Sequence, residues 1–181
     1  MKKKKVMSLA IYLLVLAGLI MPKATFAQEY RGRIIAESKI AKAKFIKADP
    51  LMKNLFDDAY AYVIFPNVGK GAIGVGGAAG RGAVFEKGKP VGTARMTQLS
   101  VGLQLGGRAY REVIFFENLK ELRRFRENKF EFNAQVSAVV VNSGASGNAK
   151  YTDGVMIFSQ EKAGLMGELS IGGQKFSYTQ L

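Results

Sequence analysis

The residues of this sequence that could carry chemistry are cations concentrated in two short segments. Residues 28–47 contain six basic and two acidic residues, a net charge of +4, and residues 118–129 contain five basic and two acidic residues, net +3. The whole chain of 181 residues carries a formal charge of +13, so both segments are candidates for contact with an anionic partner. The first set is Arg31, Arg33, Lys39, Lys42, Lys44 and Lys47, and the secondary basic patch is Lys120, Arg123, Arg124 and Arg126.

The side chains that perform most enzyme chemistry are missing from the sequence. It contains no Cys and no His, which rules out disulfides, thiolate metal sites, Cys nucleophiles and Ser-His-Asp triads. Asp57 and Asp58 are neighbours, so on a helix they diverge by about 100° and are typical of solvated acids rather than a catalytic pair. We therefore predict a protein that is not an enzyme, with no catalytic residue, metal or cofactor.

One motif could suggest a nucleotide site. The run Gly69-Lys70-Gly71-Ala72-Ile73-Gly74 matches G-x-G-x-x-G, which binds dinucleotides only where a helix begins inside it. Four more glycines follow within eight residues, and each costs about 1 kcal/mol inside a helix, so roughly 4 kcal/mol opposes that helix. We therefore expect no nucleotide partner. These glycines are Gly76, Gly77, Gly80 and Gly82.

The first 27 residues have the layout of a secretory signal. Four lysines follow Met1, residues 6–21 form a 16-residue stretch without charge, and Thr25-Phe26-Ala27 offers small residues for cleavage after Ala27. The alternative is an uncleaved anchor, but a spanning helix needs about 20 apolar residues. We therefore predict a signal peptide at 1–27, a single domain at 28–181, and a periplasmic or secreted protein peripheral to the membrane.

Hydrophobic periodicity predicts helices first and strands afterwards. A helix is expected over 34–48, a second begins at Asp49-Pro50, and a short one opens at Asn118 and ends near Glu127. This order indicates an α+β fold, in which amino-terminal helices pack on a curved antiparallel sheet, open or closed like a barrel, with one short inserted helix. The predicted strands are 60–65, 83–85, 91–97, 100–105, 111–116, 130–141, 155–159, 165–171 and 174–178.

The helix at 34–48 permits two interpretations. Ile34, Ala41 and Phe45 fall on one side of a helical wheel, with Ile35 and Ile46 near its edge. The helix could lie on an anionic membrane, with its lysines on phosphates and its apolar side in the lipid. It could equally pack on the domain and leave its lysines in solvent.

A resemblance covers residues 34–178. The sequence resembles the SYLF domain family, also called the yeast actin-binding domain family, through several motifs taken together. The resemblance implies a lipid-binding module, because eukaryotic members bind phosphoinositides partly through a basic amino-terminal helix, and some bind actin. The motifs are Tyr62-Val63-Ile64-Phe65-Pro66-Asn67-Val68-Gly69-Lys70-Gly71, Gly74-Val75-Gly76-Gly77, Gly80-Arg81-Gly82, Ser100-Val101-Gly102-Leu103-Gln104-Leu105-Gly106-Gly107, Val113-Ile114-Phe115-Phe116, Val155-Met156-Ile157-Phe158-Ser159 and Lys162-Ala163-Gly164-Leu165.

The leading hypothesis is an exported peripheral protein that binds anionic phospholipid. The six cations of residues 31–47 would contact phosphates, while Ile34, Ile35, Phe45 and Ile46 would enter the acyl boundary. The alternative is a structural or protein-interaction module that docks an acidic partner, as actin-binding members do, or a carrier that holds a lipid inside the sheet. Nucleic acid is disfavoured, because no aromatic array interleaves the lysines.

Overall fold

The computed structural model describes residues 22–73, 75–101, 106–128, 130, 137–163, 169–170 and 173–181. Residues 1–21, which hold most of the predicted signal peptide, lie outside this set, as do parts of the predicted strands at 100–105, 130–141 and 165–171. The chain divides into two compact units, one up to Arg33 and one from Ile34 to Leu181. The second unit contains all the described strands.

Three α-helices are described. They are α1 (Pro22–Ala48), α2 (Met52–Asp58) and α3 (Leu119–Arg126). Because Pro50 disfavours helical backbone at the residue before it, α1 ends at Ala48. The side chain of Asn118 accepts a hydrogen bond from the Glu121 backbone N–H at 3.2 Å and so caps α3, which confirms the helix start predicted there.

Eight strands form one mixed sheet. The strand order is β7-β5-β6-β4-β1-β2-β3-β8, and every described pair is antiparallel except β5–β6, which is parallel. The α+β prediction is confirmed, with two refinements: the sheet is not purely antiparallel, and it is curled but not closed. The strands are β1 (Ala61–Ile73), β2 (Val75–Glu86), β3 (Lys89–Val101), β4 (Gly106–Phe116), β5 (Ser137–Val140), β6 (Val155–Ala163), β7 (Leu169–Ser170) and β8 (Gln174–Gln180).

A bulge carries β1 past the proline that was expected to end it. The pairing of β1 with β2 shifts between Ile64 and Asn67, and its pairing with β4 shifts between Phe65 and Val68. Pro66 lies in this interruption, where its missing N–H costs no ladder hydrogen bond. The glycine-containing residues 69–73 that follow Pro66 are therefore part of β1.

The sheet curls so far that β8 faces β4 across its inner side. Three strands separate β4 from β8 in the strand order, yet the Gln174 side-chain amide donates to the Glu112 carboxylate at 3.0 Å. Glycine also permits close packing of β2 on β1, because a Cβ at Gly82 would overlap the Ile64 carbonyl oxygen.

The curled sheet has apolar side chains packed on both its inner and its outer side. Inside it, α3 inserts Phe125, whose ring centroid lies 5.1 Å from that of Phe116 and 5.3 Å from that of Phe176. On the outer side, Phe56 of α2 packs edge-on against Phe115 at 4.9 Å. Full burial of such aromatic side chains is the main source of stability in a domain of this size.

Candidate functional site

The residues of α1 from Ile34 onward dock on the outer side of the sheet. Ile34, Ala41 and Phe45 are buried, and the Ser38 hydroxyl donates to the Ile64 carbonyl oxygen of β1 at 3.2 Å. Because these positions recur at helical spacing, the opposite side of the helix must face solvent. The lysines on that side are Lys39, Lys44 and Lys47, and all three are exposed. We call them, with Ile40, the α1 outer face.

The predicted lipid-inserting residues do not lie on that face. Ile34 is 6% exposed and Phe45 is fully buried, so both belong to the core of the docked helix. Ile35 and Ile46 are half-buried on its flank. Ile40, which the helical pattern did not single out, is 58% exposed and is the large apolar side chain of the α1 outer face. Ile34 and Phe45 could reach a bilayer only if α1 left the sheet.

Lys42 is separated from the other lysines. Its ammonium lies 4.8 Å from the Phe56 ring centroid and 5.3 Å from that of Tyr62, and it donates to the Tyr62 hydroxyl at 3.4 Å. Burial lowers the pKa of Lys42, partly offset by the nearby Asp57 carboxylate. These contacts give Lys42 a packing role between α1, α2 and β1.

Arg31 and Arg33 belong to the first unit, in which α1 begins. Arg31 is half-buried and Arg33 is exposed, with its guanidinium 5.6 Å from the centroid of the Tyr30 ring. A lipid contact by these two arginines stays a prediction.

Two further cations lie beside Lys44. Gln160 of β6 accepts a hydrogen bond from the Arg111 guanidinium at 3.0 Å and donates to the Lys44 carbonyl oxygen at 3.5 Å. Burial lowers the pKa of Lys162, and the positive charges of Arg111 and Lys44 lower it further. The amino group of Lys162 also contacts the Asn67 side chain. The fold thus places Arg111 and Lys162 beside Lys44, where the Glu37 carboxylate partly offsets their positive charge.

The sequence analysis did not identify Arg111 and Lys162, because the residues around them form no basic cluster or motif. Each is one cation in a strand, and Gln160, which connects Arg111 to α1, lies 116 residues from Lys44 along the chain. Only the pairing of β4 with β6 beneath α1 brings these residues to one place.

Two carboxylates pair with three of the four cations of the secondary basic patch on α3. Arg124 contacts Glu121 at 2.6 Å, Lys120 contacts the same carboxylate at 3.6 Å, and Arg126 contacts Glu86 at 2.7 Å. Arg123 is exposed and forms no ion pair with a described residue. The patch therefore contributes more to fixing α3 than to an outward positive field.

Three other features of the sequence fall within the described residues. Residues 69–73 of the glycine motif lie in β1, and β2 begins at Val75, so the described part of the motif is strand and does not begin the helix that a dinucleotide site needs. Asp57 pairs with Lys53 at 2.5 Å on the surface of α2. Across the described ranges, no group of three or more acidic residues is placed to hold a metal ion. None of the helices described is both long enough and apolar enough to cross a bilayer.

Two comparisons with known proteins bear on this arrangement. The family model described as Ysc84, Las17-binding protein actin regulator, matches residues 97–180. The chain is also 28% identical over 152 residues to Beta cell expansion factor A from Aeromonas veronii. That alignment covers 83% of this chain and 58% of the relative, so the chain spans little more than half of that protein.

The matched segment begins inside β3 and runs through α3 to β8, whereas α1, α2, β1 and β2 precede it. The family supports a domain of lipid-binding or actin-binding type, and it is not known for enzymatic activity. Residues 97–180 thus match the Ysc84 family, which is also named SYLF, and over that segment the resemblance stated from the sequence is confirmed.

Proposed function

We propose that the protein is an exported, peripheral lipid-binding protein whose α1 outer face contacts anionic phospholipid. The observation that carries the proposal is the division of α1: its apolar residues pack on the sheet, and Lys39, Lys44 and Lys47 point outward with Ile40. A docked helix of this kind presents its charges without unfolding. Binding then requires no loss of core packing.

The electrostatics favour a reversible contact. A basic residue near an anionic leaflet contributes about 1 kcal/mol, so the three outward lysines supply roughly 3 kcal/mol. Arg111 and Lys162 strengthen the field beside Lys44, and burial of Ile40 at the interface adds apolar area. The sum suits a protein that binds and leaves the surface rather than one anchored permanently.

Export is the part of the proposal that rests on sequence alone. The lysines after Met1, the uncharged stretch at 6–21 and the small residues before Gln28 support it. An exported protein of this kind would meet anionic lipids such as phosphatidylglycerol or cardiolipin. Mass determination of the protein purified from cells tests this step, since cleavage after Ala27 would leave Gln28 as the first residue.

Vesicle flotation tests the lipid contact. The wild type should float with phosphatidylglycerol vesicles and not with neutral phosphatidylcholine vesicles. The double variant K39E/K47E should bind at least about 30-fold more weakly, the equivalent of 2 kcal/mol for two lost contacts. K87E/K89E changes the same charge at exposed positions of the β2–β3 turn and should bind like the wild type. Equal weakening by both variants would show that net charge, and not the α1 outer face, governs binding.

A second candidate function is the docking of an acidic protein, because the description of the matching family names an actin regulator. Sedimentation with actin filaments in the absence of lipid separates this candidate from the first. Binding of the wild type to filaments with no binding to anionic vesicles would favour it.

A further inference from the structure

The outer side of β3 and β8 carries a recess that no predicted site residue touches. It has a volume of about 310 Å³ and is lined by Arg95 and Thr97 of β3 and by Lys175, Phe176 and Ser177 of β8. Arg95 stands opposite Ser177 and Thr97 stands opposite Lys175 in the strand register. The two cations are therefore diagonal neighbours on one sheet face, with a hydroxyl beside each.

Every polar side chain in this lining can donate a hydrogen bond. Arg95 offers a planar guanidinium, Lys175 an ammonium, and Thr97 and Ser177 a hydroxyl each. All four are exposed and extend from the same side of the sheet. A group with several acceptor oxygens and negative charge would complement them best.

A third cation lies beside Arg95. Arg81 of β2 lies directly opposite Arg95 in the strand register, and both are exposed. The recess is therefore flanked by a second guanidinium on the neighbouring strand.

We propose that the recess between β3 and β8 binds the phosphate group of a soluble small molecule, at a site separate from the α1 outer face. Its volume lies at the lower end of the range for small-molecule sites, which suits a single phosphate ester with a short body. Arg95 contacts two phosphate oxygens through its fork, Lys175 acts as a point charge, and the hydroxyls complete the shell.

A soluble molecule fits the geometry better than a lipid head group. α1 docks on the outer side of the sheet, the side that also carries the recess. A helix layer is about 10 Å thick, so a flat membrane resting on Lys39 and Lys47 would be held away from Arg95. The lipid contact and the phosphate site are therefore expected to act independently.

The site is tested by measuring Tm in thermal unfolding. The measurement is made with glycerol 3-phosphate and with inorganic phosphate, and each is compared with chloride at equal ionic strength. The wild type should show a saturable rise in Tm. R95Q/K175Q should lose that rise. R123Q/K150Q removes equal charge at exposed positions elsewhere and should keep the response.

Vesicle flotation of the same variants separates the two sources of phosphate. R95Q/K175Q should bind anionic vesicles within about twofold of the wild type, whereas K39E/K47E should lose vesicle binding and keep the phosphate response. The absence of a saturable response in the wild type, or its persistence in R95Q/K175Q, would overturn the site. If free phosphates have no effect and R95Q/K175Q loses vesicle binding, the occupant is a lipid head group and the soluble ligand is wrong.

Discussion

Replacing Glu112 with Gln should stabilise the protein at alkaline pH. Glu112 is fully buried on the inner side of β4, and the described partner of its carboxylate is the Gln174 amide at 3.0 Å. The groups that face it are the Tyr110 hydroxyl on the same strand and the Ser159 hydroxyl opposite on β6, neither of them a cation. Burial raises the pKa of Glu112 to about 7, although the Gln174 hydrogen bond lowers it slightly.

The magnitude follows from the difference between that pKa and the ordinary value of 4.5. Each pKa unit corresponds to 1.36 kcal/mol, so ionised Glu112 costs the folded state about 3 kcal/mol. The cost is absent below about pH 4.5, where the carboxyl is protonated in both states. It grows as the pH rises and is complete above about pH 7. Glutamine keeps the shape and an acceptor for Gln174 but never ionises.

Urea unfolding at about pH 5 and about pH 8 measures the effect. E112Q should exceed the wild-type free energy of unfolding by less than about 1 kcal/mol at the lower pH and by about 3 kcal/mol at the higher pH. The control E117Q alters an exposed carboxylate and should stay within about 0.5 kcal/mol of the wild type at both. A loss of stability in E112Q at alkaline pH would refute the reasoning.

Two further substitutions test the fold. Asp49→Asn should cost about 2 kcal/mol of unfolding free energy in urea at neutral pH, because the buried carboxylate accepts bonds from the Ser146 hydroxyl at 2.6 Å and the Ser146 N–H at 2.8 Å. Burial alone would raise the pKa of Asp49, but these bonds lower it, so its contribution is present above about pH 4 and fades in stronger acid. Gly82→Ala should lower Tm, because the added methyl clashes with the Ile64 carbonyl at a cost of about 2 kcal/mol. Gly69→Ala is the control and should leave Tm unchanged, because its added methyl meets nothing within 4 Å. Equal effects of the two variants would contradict this packing.

The elements that rest on local patterns were predictable. The spacing of Ile34, Ala41 and Phe45 indicated the buried side of α1, and Asn118 marked the start of α3. The course of β1 was not predictable, because Pro66 is a local stop signal. Pairing with β2 on one side and β4 on the other continues the strand through a bulge.

The candidate site was predictable only in part. The density of lysines in residues 28–47 pointed to α1, but the position of Lys42 depends on Phe56 and Tyr62, which a helical wheel cannot include. Partners in sheets lie far apart in sequence, so the placement of Arg111 beside Lys44 required the fold itself. The same holds for Arg95 and Lys175, which come from strands that pair only at the end of the sheet.

The central claim is that α1 meets the membrane with its outer face while it stays docked. The sequence contains no Cys, so single-cysteine variants can carry an environment-sensitive fluorophore at one chosen position. I40C on the α1 outer face and V139C on β5 replace exposed apolar residues. The emission of the label at position 40 should shift to the blue with anionic vesicles and not with neutral ones, and the label at position 139 should not respond. No shift at position 40, or equal shifts at both positions, would contradict the claim.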